Sequence, residues 1–340
     1  MADPGALPDH DAFWTWWTSE GAAACEAGIA DGTVASLVDD LNARVHALSP
    51  DLAWELGPGE RAQHALVVSP EGNPEARATA RRWLRAAPAP TATWEYADAR
   101  PASPDPGSGA ITVGDAQVDF ASIRVAATVV AHHVDVVVHH PLLRTLPEQA
   151  RGSVVFICLD HALGESECET WVGNVEAALE EPAETVDLAG LRDLVAQVRA
   201  DALDDDGRPT WVMLQGRQDD GAPLMALAQV PLAPSWAPHL DDHLAVDVPF
   251  ADATAEGLPA AGALDDLRGL EDHVTERLGE AGRLVAHETG RGRRTLHYYV
   301  DSARPTSGVV EGVVAGWDQG TVEVTRTHDP AWQAVRHLRT

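Results

Sequence analysis

The chain has 340 residues, 45% of them hydrophobic, and it carries 53 acidic against 24 basic side chains, for a formal net charge of −29. This apolar content is typical of a folded globular protein, whereas the acidity disfavours binding to nucleic acid or to an anionic membrane. All the basic side chains other than histidine are arginines, which excludes a phosphate-binding loop that depends on lysine.

The first hundred residues predict an α+β module. Phe13, Trp14 and Trp17 follow the spacing of one helix face, and we expect them to pack on the protein's own core. Further helices are predicted at "VASLVDDLNARVHAL" and at "NPEARATARRWLRAAP", the latter with Asn73 as its N-cap and Pro74 in its first turn. Alternating or continuous apolar runs predict three strands: "LAWEL", "HALVVS" and "ATWEYAD".

A segment rich in proline, glycine and serine, "PASPDPGSG", predicts a linker between Arg100 and Gly109. The segment beyond it predicts a second α+β module, in which a short helix around "LPEQA" and the helix "AGLRDLVAQVRADAL" accompany several strands. The predicted strands are "AITV", "VDFASIRVAATVV", "VDVVVHH", "SVVFICLD" and "ETWVGNV".

The last third of the chain predicts a β-hairpin followed by the order β-α-β-β-α-β, which is the ferredoxin-like arrangement. The hairpin consists of "TWVMLQG" and "APLMALAQV", and the final strand is "GTVEVTRT". We therefore predict an α+β, multi-domain protein. Its domains are an N-terminal module at 1–103, a middle module at 110–204 and a C-terminal domain at 209–340, which is ferredoxin-like and includes the hairpin.

Two motifs in this last segment resemble a bacterial family, the domain of unknown function 695. The hairpin contains "GAPLMA", and "GRLVAHETGRGRR" follows the helix, as in the family's pattern of a hairpin with G-x-P-L-x-A, then G-R-L-V and G-x-G-R-R. The resemblance covers roughly residues 209–338, and two upstream segments also resemble such proteins. The family has no assigned activity, so the resemblance supports a fold and implies no site residue.

The stretch "HHVDVVVHH" is the strongest candidate for a metal site. On a strand, His133, Asp135 and His139 share one face, while His132 and His140 share the other. His133 and His139 then lie roughly 20 Å apart, which is too far to share one ion. We therefore expect no metal and no cofactor.

A second cluster, "CLDHALGESECET", gathers Asp160, His161 and Glu165 after an apolar run. An acid/base pair such as His161 with Glu165 is one hypothesis. The alternative is a solvated turn in which these side chains cap a helix.

The stretch "GRGRRTLHYYV" places arginines beside aromatic residues on a strand, as RNA-binding sheets do. Strand alternation directs Leu296, Tyr298 and Val300 to the core. The opposite face would carry carboxylates that repel phosphate, so we interpret the glycines and arginines as a tight turn. We predict that this opposite face is an interaction surface. Its predicted residues are Asp247, His287, His297, Tyr299 and Glu323.

These observations favour a non-enzymatic binding or regulatory protein over an enzyme. The expected partner is a protein with a basic surface, not nucleic acid or a membrane. The alternative is a hydrolase-type or metal-dependent enzyme that uses residues 160–169. The three cysteines, the lack of a long apolar run and the absence of signal-peptide features at the start predict a cytoplasmic protein.

Overall fold

The computed structural model describes residues 9–339, which form parts of two compact units, Met1–Gln197 and Val198–Thr340. Residues 1–8 and 340, at the outer ends of the predicted first and third domains, lie outside the described residues. Both units combine helices with sheets, so the predicted α+β class is confirmed. The division falls inside helix α7 (Leu188–Ala202), whereas the predicted linker lies within the first unit.

The first unit begins with three helices: α1 (His10–Trp16), α2 (Ala22–Asp31) and α3 (Val38–Leu48). Asp9 caps α1, because its carboxylate accepts the backbone N–H of Ala12 at 2.9 Å. The aromatic side chains of Phe13, Trp14 and Trp17 are buried and pack in this unit's own core, as the sequence predicts.

The first sheet consists of β1 (Ala53–Pro58), β2 (His64–Ser69) and β3 (Trp94–Ala97). Strands β1 and β2 are antiparallel, and β3 lies parallel to β2 after helix α4 (Pro74–Arg85). The predicted cap is present, because the Asn73 side chain accepts the N–H of Glu75 at 3.1 Å.

The second sheet repeats this arrangement. After a small hairpin of β4 (Ala110–Val113) and β5 (Ala116–Asp119), strand β6 (Arg124–Val130) is antiparallel to β7 (His133–His139). Strand β8 (Val172–Ala178) then lies parallel to β7. The connection between them consists of helices α5 (Glu148–Leu163) and α6 (Glu165–Trp171).

The prediction that "SVVFICLD" is a strand is wrong, because these residues lie within α5. Val154, Val155, Cys158 and Leu159 are buried at helical spacing, while Phe156 between them is exposed. A short run of branched and aromatic side chains suits a buried strand as well as a buried helix face. "ETWVGNV" is likewise divided, since its first three residues end α6 and the rest begin β8.

The second unit contains one six-stranded sheet in which all neighbouring strands are antiparallel. The predicted hairpin lengthens this sheet at one edge, so the sheet has six strands and not four. In spatial order the strands are β14 (Glu323–His328), β11 (Asp242–Pro249), β13 (Arg293–Val300), β12 (Gly282–Gly290), β10 (Pro223–Val230) and β9 (Thr210–Arg217).

The two faces of this sheet are covered by different parts of the chain. On the face that we call the helix side, Leu296 and Tyr298 pack with residues of α8 (Ala261–Leu278) and α9 (Thr306–Val314). On the opposite face, the outer side, Tyr299 packs with Trp332 and with apolar residues of the segments 232–240 and 335–338. Each face therefore has a hydrophobic core of its own.

Within the described residues, no helix combines the length and the apolar character needed to cross a membrane. Cys25, Cys158 and Cys168 are buried free thiols.

Candidate functional site

The predicted interaction face corresponds to the outer side of the second unit's sheet. His297 and Tyr299 alternate there along β13, and Asp247 lies opposite Glu323 on neighbouring strands. His287 does not belong to this face. A β-bulge between Leu284 and Ala286 shifts the alternation of β12 by one residue, so His287 lies on the helix side.

The outer side is not a free surface around Tyr299, whose exposed fraction is 0%. Its ring stacks on Trp332 with ring centroids 4.2 Å apart, and its hydroxyl donates to Asp329 Oδ2 at 2.6 Å. The backbone N–H groups of Gln333 and Ala334 also donate to the Asp329 carboxylate. The C-terminal segment, residues 329–338, thus covers this part of the predicted interaction face. Of the other predicted residues, Glu323 is exposed and Asp247 is half-exposed.

A chain of four side chains crosses the same face. His243 Nε2 lies 3.0 Å from His297 Nδ1, His297 Nε2 lies 3.2 Å from Glu288 Oε2, and His337 Nε2 approaches the same oxygen at 3.2 Å. Since an ionised carboxylate only accepts, His297 donates to Glu288 through Nε2. When His297 is neutral, its Nδ1 accepts from Nε2 of His243, and each of the two imidazoles then carries its proton on Nε2.

The pKa values follow from burial and from these hydrogen bonds. Burial, together with the neighbouring His297, lowers the pKa of His243 to about 4, so this imidazole is neutral at pH 7. The hydrogen bond from His297 lowers the pKa of Glu288 and keeps it ionised. In the part of the chain that is described, no group of three or more His, Cys, Asp or Glu side chains could hold a metal ion. His243 and His297 are hydrogen-bonded to each other, and His297 and His337 contact Glu288.

The helix side holds a second polar cluster, which the sequence analysis did not identify. The buried Arg294 donates to Glu271 of α8 at 2.6 Å and to Thr289 at 2.9 Å, and His287 Nδ1 lies 3.2 Å from the same Glu271 carboxylate. Burial raises the pKa of Glu271, but these contacts lower it by more, so that it lies below its ordinary value. Strand alternation was the available signal in the sequence, because Arg294 lies two residues before Leu296 and therefore on the same face of β13.

The arginines of "GRGRR" all have acidic partners. Arg291 pairs with Asp220 at 2.6 Å and Arg293 with Asp247 at 2.8 Å, in addition to the buried Arg294. The turn itself uses Gly292 at a positive φ of 72°. These contacts fit the interpretation of this stretch as a tight turn.

Asp160, His161 and Glu165, which the sequence groups together, have different contacts in the structure. Glu165 is buried, and it accepts hydrogen bonds from Ser69 Oγ at 2.5 Å and from the N–H groups of Gly72 and Arg100. It therefore ties the loop after β2 to α6. His161 instead stacks on a phenylalanine ring.

Asp160 is the member of this cluster with an unusual titration. Burial and the charge of Glu165 raise its pKa to about 6, while the hydrogen bond with the Cys168 thiol opposes the shift. An acid/base role for Asp160 stays a prediction.

Two of the histidines of "HHVDVVVHH", His139 and His140, are held by structural contacts. His139 Nδ1 lies 3.0 Å from the carbonyl oxygen of Ala178, and His140 Nδ1 accepts the N–H of Leu142 at 3.1 Å. Asp135, on the same strand, accepts two hydrogen bonds from Asn174. These side chains tie β7 to β8 and to the loop that follows β7.

Strand β9 forms one edge of the second unit's sheet and carries two exposed apolar side chains. Trp211 and Met213 have exposed fractions of 41% and 63%. They lie on the helix side, since Met213 pairs with Leu227 and Leu227 pairs with His287. No acid or proline occurs within β9, although residues 201–221 carry six aspartates against two arginines.

The backbone of β9 offers hydrogen-bonding groups along its free edge, the edge that pairs with no other strand of residues 9–339. The N–H of Gln218 donates to the carbonyl of Ala222 at 2.9 Å, which makes this a hydrogen-bonded pair at the turn. Because hydrogen-bonded and non-hydrogen-bonded pairs alternate in an antiparallel ladder, the N–H groups of Trp211, Met213 and Gln215 point away from β10.

Comparison with known protein families gives a match for residues 210–337. No curated protein matches the chain, and no solved structure does so either. The matched residues, 210–337, begin with β9 and include the His243–His297–Glu288 chain. The resemblance seen in the sequence is thereby confirmed for the C-terminal part of the chain, which matches the family described as "Family of unknown function (DUF695)".

Proposed function

We propose that the protein is a non-enzymatic binding protein whose second unit pairs with an extended segment of a partner protein along β9. The observation that carries this proposal is the free edge of β9, with Trp211 and Met213 beside it. Proteins protect exposed edge strands with charges, prolines or bulges, because an open edge recruits further strands. The interior of β9 has no charged residue or proline until Arg217 at its end.

The charges around β9 favour a partner with basic residues on both sides of its apolar segment. Asp204, Asp205 and Asp206 precede the strand, and Asp219 and Asp220 follow it, all of them exposed. In antiparallel self-pairing centred on β9, the aspartates before the strand in one copy would lie near those after the strand in the other. This repulsion disfavours a second copy, whereas lysine or arginine at both ends of a partner segment would be attracted.

The proposed pairing can be tested with a synthetic twelve-residue peptide that has four valine–threonine pairs between two lysines at each end. Fluorescence anisotropy of the labelled peptide should show saturable binding to the full-length protein. A peptide of the same composition with its order scrambled, and one with glutamates in place of the lysines, should bind at least about tenfold more weakly.

Met213→Pro and Met213→Thr form a matched pair of variants. Both remove the exposed thioether, but only proline removes the N–H that points to the free edge, and edge strands tolerate proline. We expect Met213→Pro to bind the lysine-flanked peptide on the order of tenfold more weakly than Met213→Thr. Equal affinities of the two variants, with unchanged circular dichroism, would refute pairing along β9.

An enzyme of hydrolase type, or one that depends on a metal, is the second candidate, and the raised pKa of Asp160 favours it. Hydrolysis of p-nitrophenyl phosphate or p-nitrophenyl acetate, with or without added divalent metal, would support this candidate if Asp160→Asn abolished it. Glu167→Gln serves as the control, because it removes the charge of another acid in the same sequence cluster, on helix α6.

We also propose a finer description of the architecture. The order β14-β11-β13-β12, with α8 and α9 as the connecting helices, supports a ferredoxin-like unit that β10 and β9 extend. The repetition of one strand arrangement in the first unit supports separate modules at 1–103 and 110–204, followed by the third domain at 209–340.

The free cysteines support a reducing, cytoplasmic location.

A further inference from the structure

Arg283 differs from the other shielded arginines of this protein. It is half-buried near the start of β12, ahead of the bulge, and it pairs across the sheet with Tyr299 on the outer side. Its Nη1 atom is shielded from solvent, and among the described residues it has no hydrogen-bond partner. Burial lowers the pKa of this guanidinium.

Comparable arginines elsewhere in the chain are satisfied. Arg77 pairs with Glu169, and Arg294 with Glu271 and Thr289. Half-buried arginines without a carboxylate donate to carbonyl oxygens, and Arg151 and Arg192 each make two such bonds. Among the described residues of a chain with 53 acids, Arg283 is thus the arginine with a shielded Nη1 that neither a carboxylate nor a carbonyl accepts from.

The acid that contacts Tyr299, the cross-strand partner of Arg283, has other partners. Asp329 already accepts hydrogen bonds from the Tyr299 hydroxyl and from two backbone N–H groups. A shielded donor on a charged group that lacks a partner is destabilising, so a bound anion is the natural complement of Arg283. Since Arg283 is only half-buried, such an anion could reach it from solvent.

We propose that Arg283 binds the carboxylate or phosphate group of a small anionic ligand on the outer side of the second unit. A guanidinium presents a planar fork of N–H donors that matches two oxygens of either group, which an ammonium or an imidazolium does not. The site is independent of the pairing proposed for β9, because it lies on the other face of the sheet and two strands further in.

The test uses the full-length protein in buffer free of oxyanions. Sodium phosphate and sodium acetate are titrated separately at constant ionic strength, with sodium chloride as the reference, and the melting temperature is followed. Arg283→Met keeps an apolar side chain of similar length without the charge, and Arg283→Lys keeps the charge without the fork. Arg277→Met is the control, because Arg277 is an exposed arginine of the same unit.

We expect phosphate or acetate to raise the melting temperature of the wild type and of Arg277→Met, and to leave Arg283→Met unchanged relative to chloride. Arg283→Lys should bind at least tenfold more weakly. The anion that acts assigns the ligand as a phosphate or a carboxylate. Without added anion, Arg283→Met should be no less stable than the wild type, since it removes an unpaired charge.

Two results would overturn the proposal. One is a melting temperature that responds equally in the wild type and in Arg283→Met, or in neither. The other is a loss of stability in Arg283→Met without any anion, which would mean that the guanidinium serves the fold and not a ligand.

Discussion

Tyr299→Ala should be among the most destabilising substitutions in the second unit. Truncation of a fully buried aromatic side chain costs about 3–5 kcal/mol. Loss of the 2.6 Å hydrogen bond to the Asp329 carboxylate adds about 1.5–3 kcal/mol. We therefore expect the free energy of unfolding to fall by about 5 kcal/mol or more, against about 1 kcal/mol or less for an aromatic side chain on a free face.

Native-state hydrogen exchange is the suitable assay, because it reports the opening of β13 and β11 separately from the first unit. Tyr299→Phe keeps the stacking on Trp332 and should cost only about 2 kcal/mol, since it removes the hydrogen bond alone. Thr295→Ala, on the same strand and face but only half-buried, is the control and should cost well under half as much as Tyr299→Ala. A change of about 1 kcal/mol or less in Tyr299→Ala would refute the conclusion that the C-terminal segment covers this face.

Four further outcomes are expected. The buried His243 has a pKa of about 4 in the folded protein, against an ordinary value of 6.5. The unfolded chain therefore takes up this proton at a higher pH than the folded protein does. The free energy of unfolding of the second unit should fall by ~3 kcal/mol as the pH drops from about 6.5 to about 4. Urea titrations at several pH values would detect this slope. His243→Gln should remove the share that His243 contributes, while the lowered pKa values of Glu271 and Glu288 keep a slope of their own at the acidic end. Tyr298→Ala should cost about 3 kcal/mol or more, because Tyr298 is buried in the helix-side core, and the same exchange experiment measures it. Limited proteolysis should cut between Arg100 and Gly109 before it cuts within α5, and early cleavage in α5 with this segment intact would contradict the predicted linker. Elemental analysis of untagged protein should find no stoichiometric zinc, and zinc that His133→Ala removes would show that the histidines of β7 bind metal.

The helix–strand order of the second unit could be predicted from the sequence because each element has a clear period and each turn has glycine or proline. The same alternation correctly placed Leu296, Tyr298 and Val300 on the core of the helix side. It failed at His287, because nothing in "GRLVAHETG" marks the bulge that reverses the alternation. Because of the extra residue in the bulge, Glu288 lies on the outer side and His287 does not. His287 is therefore not a member of the predicted face.

Two other features could not be predicted because they depend on tertiary contacts. The covering of Tyr299 requires Trp332, which lies in the segment after the last predicted strand, where no regular period was visible. The role of Glu165 likewise depends on three donors far away in sequence, from Ser69, Gly72 and Arg100. The sequence pattern around Glu165, acidic residues after an apolar run, does not indicate which groups donate to it.

The separation of apolar and acidic residues around β9 has a kinetic consequence. In the proposed pairing, the aspartates at 204–206 and 219–220 lie outside the strand, where they attract an approaching basic segment before any contact forms. Such attraction raises the association rate constant and is screened beyond a Debye length of about 8 Å at physiological ionic strength. Trp211 and Met213 act only after docking, so they determine the dissociation rate constant. Added salt should therefore slow association and leave the lifetime of the complex nearly unchanged.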